Sequence, residues 1–257
     1  MNIAIVCLVA LLASGLTFFS GFGLGTLLLP AFALFMPLPQ AVAATAVVHL
    51  LNGLFKLVLL RRHVDRAVLL RFGAPALLAA LLGAWLLSAL GALPVLHRYE
   101  AFGHVFEIAP IKLAIGALLL GFALFEIVPR LRDLEFDARW QPLGGALSGF
   151  FGGLSGMQGA LRSAFLARSG LDKQAFVATG AAIAAVIDIA RLTVYGATLV
   201  AVFGTLDHGL LAAAVLAAFA GAWTGNRLLK KTTLRGLQRV VAAMLFVFAL
   251  GLMAGAL

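Results

Sequence analysis

Apolar residues gather along the chain in eight long blocks, at about 3–36, 41–60, 67–90, 105–128, 142–168, 175–200, 207–229 and 236–257, and the charged residues collect between them. A helix rises about 1.5 Å per residue, so about 20 apolar residues cover a hydrocarbon core of about 30 Å. Most blocks therefore predict one membrane-spanning helix each. The first and fifth do not fit. As one rod, 3–36 would be roughly 50 Å long, and both blocks are interrupted by glycine. The first holds Ser20-Gly21-Phe22-Gly23-Leu24-Gly25-Thr26 and is expected to close at Pro30; the fifth holds Gly144-Gly145, Gly149, Gly152-Gly153, Gly156 and Gly159. Glycine propagates a helix poorly. A break there leaves backbone groups unpaired, which a bilayer tolerates only where protein or water satisfies them. Transporters place substrate sites at such breaks.

Charge then sets orientation. Lys56, Arg61, Arg62, Arg66 and Arg71 cluster after the second block against Asp65 alone, and Arg227, Lys230, Lys231, Arg235 and Arg239 after the seventh without an acid. Both junctions are expected on the cytoplasmic side. Five single crossings between them would place them on opposite sides, so one block must enter and leave on the same face. The fifth is the candidate, as a re-entrant pair of half-helices or two short crossings. The junction 130–139 is then inside and the loop 90–104 outside.

The two glycine-broken blocks also match each other. At an offset of 134, Ser14-Gly15 falls on Ser148-Gly149, Gly25 on Gly159, Leu27 on Leu161, and Ala41, Ala44 and Thr45 on Ala175, Ala178 and Thr179. Gly83-Ala84-Trp85 recurs as Gly221-Ala222-Trp223. The third and seventh blocks run in opposite senses, so the halves read as inverted repeats. The expected fold is all-α and polytopic, with a first repeat at 1–128, a cytoplasmic linker at 129–141 and a second repeat at 142–257.

Composition agrees with a membrane class: 63% of the 257 residues are hydrophobic and 11% charged, and the mean hydropathy is +1.09. The net charge of +9 lies in the junctions between blocks rather than on one face, which speaks against a nucleic-acid partner. The single cysteine, Cys7, excludes an internal disulfide or thiol metal site. No Lys or Arg precedes Lys56, so a cleavable signal peptide is not expected and the first helix should stay. The bacterial inner membrane is the default location, and a homodimer is compatible with the sequence.

The glycine break followed by Leu27-Leu28-Leu29-Pro30, then Ala41-Val42-Ala43-Ala44-Thr45, Arg61 to Asp65, and the second break followed by Ala178-Thr179 together resemble the TauE/SafE family of sulfite-exporter permeases over nearly the whole chain. The resemblance implies secondary-type export of sulfite, sulfonates or related sulfur compounds. Its glycine motifs map to Gly21, Gly23, Gly25 and Pro30 and to Gly153, Gly156 and Gly159. This chain differs in having Ala164 in place of the second proline, Gln158 in place of a small residue, and Arg162 nearby.

Sulfur oxyanions need several donors and compensating positive charge. Helix amino termini supply both, through the amides after Gly21, Gly23, Gly25 and Thr26 and after Gly156, Gln158 and Gly159. The competing reading is that these glycines only allow close helix packing. Arg162, in an apolar stretch, would cost about 2.5 kcal/mol or more at mid-membrane without a partner. It either forks an oxyanion or snorkels to the cytoplasmic face beside Arg168. Asp188 and Arg191 share a helical face with Tyr195, as a substrate or proton-relay element or as a structural pair. Thr45, His49, Asn52 and Lys56 form a polar stripe at spacings of four, three and four. Thr45 and Thr179 are candidate hydroxyl contacts, His49 a candidate proton-coupling group or a packing residue, and Lys56 an orientation charge near the cytoplasmic end. His63, His97, His104 and His208 carry no ligand spacing, and no nucleophile triad or phosphate loop is visible. The function expected is export of a small anion by alternating access, with no cofactor. Proton coupling or a uniporter would both fit. The alternatives are uptake of thiosulfate or a carboxylate, a non-transporting accessory protein, and a membrane-embedded enzyme.

Overall fold

A computed structural model describes residues 2–20, 23–101, 103–132, 134–204, 207–228 and 235–256. The first block is two helices, α1 (Asn2–Ser20) and α2 (Leu24–Ala33), and the fifth is two more, α7 (Gln141–Ser155) and α8 (Gly159–Leu166). Between them come α3 (Leu38–Leu60), α4 (Arg66–Gly91), α5 (Pro110–Ile127) and the short α6 (Pro129–Arg132); α9 (Lys173–Phe203), α10 (His208–Leu228) and α11 (Arg235–Met253) follow. Four stretches, Leu38–His63, Arg66–Gly91, Lys173–Gly196 and His208–Gly225, are long and apolar enough to cross a membrane.

Many large apolar side chains point outward, while alanines line the seams between helices. Val58, Leu70, Leu78, Trp85, Leu216 and Val247 are exposed, while Ala10, Ala76, Ala80, Ala84, Ala214, Ala218 and Ala222 are fully buried. That is the packing of helices in lipid: tails solvate leucine as well as protein does, so helices associate where small residues let backbones approach. The tightest seams run between the halves. α7 lies along α4 and α1 along α10. A methyl group on Gly145, Gly149 or Gly153 would overlap the backbone of Phe72, Ala76 or Ala80, and one on Gly221 would overlap Leu11. These α7 glycines are packing glycines. The middle of the molecule is closed by α3 against α9, and α5 packs on α11.

Three sequence expectations change. Pro30 does not close its helix, because α2 continues through it to Ala33. The start of the fourth block is not helical: β1 (His97–Ala101) and β2 (His104–Ile108) form an antiparallel hairpin that turns through Gly103 at φ 75°. Tyr99 pairs with Phe106 across the hairpin, their rings stacked at 5.0 Å, and the Tyr99 hydroxyl donates to the Ala254 carbonyl at 2.6 Å. Lys56 is buried rather than an orientation charge at the helix end. The orientation argument from Lys230 and Lys231, and the first motif glycine, Gly21, lie outside the described residues.

Candidate functional site

The site begins with backbone geometry at the two breaks. Gly23, which precedes α2, has φ 125°, and Gly156, which ends α7, has φ 80°. Both lie in the region that favours glycine over any residue with a Cβ. The breaks touch: a methyl on Gly25 would stand 2.6 Å from the Gly156 carbonyl oxygen. Each break starts a new helix. Leu27 N is the first α2 amide bonded back, to Gly23 O at 3.0 Å, and Arg162 N is the first in α8, to Gln158 O at 3.0 Å. The amides of the first turn of each helix have no carbonyl within the helix to reach, so each start is a cluster of donors at the positive end of a helix dipole. The Thr26 hydroxyl donates to Gly23 O at 2.9 Å and secures the first turn of α2.

Beside this junction lies a cavity of about 50 Å³, counted as room for the centres of water molecules. On that measure one water needs about 10–15 Å³, so the cavity takes a few waters or one small ion. Gly23, Gly25 and Thr26 line it from α2 and its approach, and Gly156, Met157, Gly159 and Arg162 from the second break. His49, Asn52, Gly53 and Lys56 line it from the carboxyl half of α3, with Gly180, Ala181 and Ala184 facing them from the amino half of α9. Among the described residues the lining holds two basic side chains and no acid. Both cations are buried, Lys56 at 6% exposed and Arg162 at 7%. Arg162 therefore does not snorkel beside Arg168. Its Nη1 donates to the Gln158 Oε1 at 3.1 Å, and Gly180 lies beside its Nε, where a methyl would make ordinary contact at 3.4 Å. Asn52 is fixed from behind by Ser14, whose hydroxyl donates to its Oδ1 at 2.9 Å. Ser148, the counterpart of Ser14 at the offset of 134, donates to the Gln158 carbonyl at 3.0 Å.

A second polar layer sits behind the cavity wall. His49 Nδ1 is 2.6 Å from Asp188 Oδ2, and Asp188 Oδ1 accepts from Arg191 Nε at 3.0 Å. Asp188 and Arg191 are both fully buried, so neither touches the cavity directly. The Arg191 guanidinium lies against the back of the break: a methyl on Gly156 would strike its Nη1. The Tyr195 hydroxyl donates to Gly153 O at 2.9 Å and ties α9 to the end of α7. This joins two features that sequence spacing left separate, the α3 stripe and the α9 pair.

Of the residues singled out from sequence, Gly23, Gly25, Thr26, His49, Asn52, Gly156, Gly159 and Arg162 share the cavity wall. Gln158 is buried beside it as a partner of Arg162. Asp188 and Arg191 stand behind the wall, and Thr45 and Thr179 stand elsewhere. The Thr179 hydroxyl accepts from the Asp65 backbone N–H at 2.9 Å, which pins the turn between α3 and α4, and Thr45 is buried outside the lining. Lys56 is the lining residue that sequence reading misassigned, although the four-three-four spacing already placed it on the His49 and Asn52 face. Among the described residues no group of three His, Cys, Asp or Glu is placed to hold a metal ion.

The family model described as sulfite exporter TauE/SafE matches residues 6–252. No curated protein and no solved structure matches the chain. With a match that takes in both broken helices, the cavity between them and nearly every other element, the chain belongs to the TauE/SafE sulfite exporter family, a family of membrane transporters.

Proposed function

We propose that the protein exports a small anion, sulfite or an organosulfonate, across the bacterial inner membrane by alternating access between two inverted repeats, 1–128 and 142–257, joined by a cytoplasmic linker at 129–141. One observation carries the reading: two helix starts, Lys56 and Arg162 converge on one small cavity that has no acid among its described lining residues. Such a site favours a compact anion with several acceptor oxygens, and disfavours cations and large apolar solutes. The cavity runs toward the ends of α3 and α9 that adjoin Arg61 and Arg62. By the positive-inside rule those ends are cytoplasmic, which supports loading of the site from inside. Exchange of the two halves' roles about the touching glycine breaks would open the opposite side.

Flux of radiolabelled sulfite, sulfonates, thiosulfate and carboxylates in proteoliposomes of known orientation tests the proposal. Saturable movement of sulfite or a sulfonate from the cytoplasmic face outward is expected. Movement only inward would replace exporter with importer, and movement of thiosulfate or a carboxylate alone would replace the substrate; no flux of any anion would remove the transport reading.

A further inference from the structure

Asp188 uses each carboxylate oxygen for a different partner: Oδ1 for Arg191, with Nε at 3.0 Å and Nη2 at 2.9 Å, and Oδ2 for His49 Nδ1 at 2.6 Å. A carboxylate only accepts, so Nδ1 of His49 carries a proton in either charge state and the tautomer of the neutral ring is set. The titratable position left is Nε2. The ring edge that bears it faces the start of α2, where a methyl on Gly25 would lie 3.8 Å from Cδ2. Neutral His49 thus offers a lone pair toward a site built from donors, and an anion there is repelled. Protonated, it adds a further donor and a positive charge.

The charged and titratable groups around this ring are Lys56 from its own helix, Arg162 from α8, and Asp188, Arg191 and the Tyr195 hydroxyl from α9; the described start of α2 contributes backbone only. Arg191 offsets the charge of Asp188, so a proton on His49 changes the net charge seen by the cavity rather than merely neutralising an acid. We infer that His49 is a proton-binding site coupled to the anion, so that one proton and one anion load together and cross in the same direction. The inference rests on the proposed role of the cavity as the anion path. Its sign follows from linkage: if an anion favours the proton, the proton favours the anion by the same factor. The loaded site holds more protons than the empty one, so anion affinity weakens as pH rises, by up to about tenfold per pH unit for one coupled proton. A pump that exchanged an entering proton for a leaving anion would need the two to exclude each other, and this geometry makes them attract.

The test uses anions that do not titrate, methanesulfonate and thiosulfate, in vesicles that contain a pH-sensitive dye, with the membrane potential clamped by potassium and valinomycin. Wild type is expected to move about one proton with each anion, in the same direction. In His49→Asn the amide can still donate to Asp188 but cannot titrate, so whatever flux remains should lose the proton that moves with each anion. Wild-type anion flux without proton movement would overturn the inference and leave the transport reading standing, as would proton movement unchanged in His49→Asn. Absence of flux of every anion tested would instead sink the reading beneath it.

Discussion

The α-carbon of Gly25 lies against the carbonyl oxygen of Gly156, so close that a methyl group on Gly25 would come within 2.6 Å of that oxygen. Residues 131 positions apart thus hold the two broken helices together at the edge of the cavity. Gly25→Ala must push the breaks apart or distort them, and overpacking of this kind costs about 1–3 kcal/mol. The variant is expected to insert and fold, to unfold at lower temperature in detergent, and to lose at least about tenfold in anion flux, equivalent to about 1.4 kcal/mol. Thermal unfolding alongside flux checks this; unimpaired flux would show that the contact is incidental.

Glycines outside the site separate packing from function. Gly149→Ala places a methyl into the backbone of Ala76 on α4, whereas Gly121 has nothing within 4 Å of the same modification. Gly149→Ala should cost at least about 1–3 kcal/mol of stability. Gly121→Ala should be neutral or gain about 0.5–1 kcal/mol, because alanine constrains the unfolded chain more than glycine does. Equilibrium unfolding of the two variants in detergent gives the comparison.

Arg162 and Lys56 are charges that the cavity holds out of water, and each is expected to serve the anion differently. Arg162→Lys keeps the charge but loses the planar fork and the bond from Nη1 to Gln158. Lys56→Met removes a point charge at similar length. Both variants should lower sulfite flux by at least about tenfold. The arginine variant should also change the preference among sulfite, sulfonates and thiosulfate, since fork geometry reads the arrangement of oxygens. Competition by unlabelled anions measures that preference.

The Asp188 and Arg191 pair is fully buried, so its members are expected to fail singly and tolerate joint removal. Arg191→Leu leaves a carboxylate bonded only to His49, and Asp188→Leu leaves an unpaired guanidinium behind Gly156. Each should cost about 3–5 kcal/mol, while the double substitution to leucine should recover much of it, because a buried pair repays little more than its own desolvation. Flux should stay lost in the double variant, since His49 then has no acceptor for Nδ1. A double-mutant cycle on unfolding free energy, with flux run in parallel, distinguishes this from independent effects.

Much of this arrangement was legible in the chain. Glycine at alternate positions does not follow helical face spacing, which is why 21, 23 and 25 read as a break, and the described chain does restart a helix at Leu24. The α3 stripe was legible because charged and amide groups at helical spacing stand out in an apolar block. Other features depended on partners distant in sequence. Asp65, 114 residues from Thr179, claims the hydroxyl that the offset of 134 offered to substrate. The link between His49 and Asp188 spans 139 residues and has no local signal. Lys56 was misread because Arg61 and Arg62 follow it so closely that the boundary between membrane depth and loop vanished into one basic run. Most glycines of α7 serve the seam with α4, and only Gly156, which caps it, reaches the cavity, a division that glycine density alone does not contain.

The central claim is where the anion sits, and the most direct measurement is to see one there. Selenite has the pyramidal shape of sulfite and a heavier central atom. An anomalous difference map from crystals of the protein grown with selenite should show one peak within hydrogen-bonding reach of the first-turn amides of α2 and α8, facing Arg162 and Lys56. Selenium found only at surface arginines, with none between the two glycine breaks, would contradict the account.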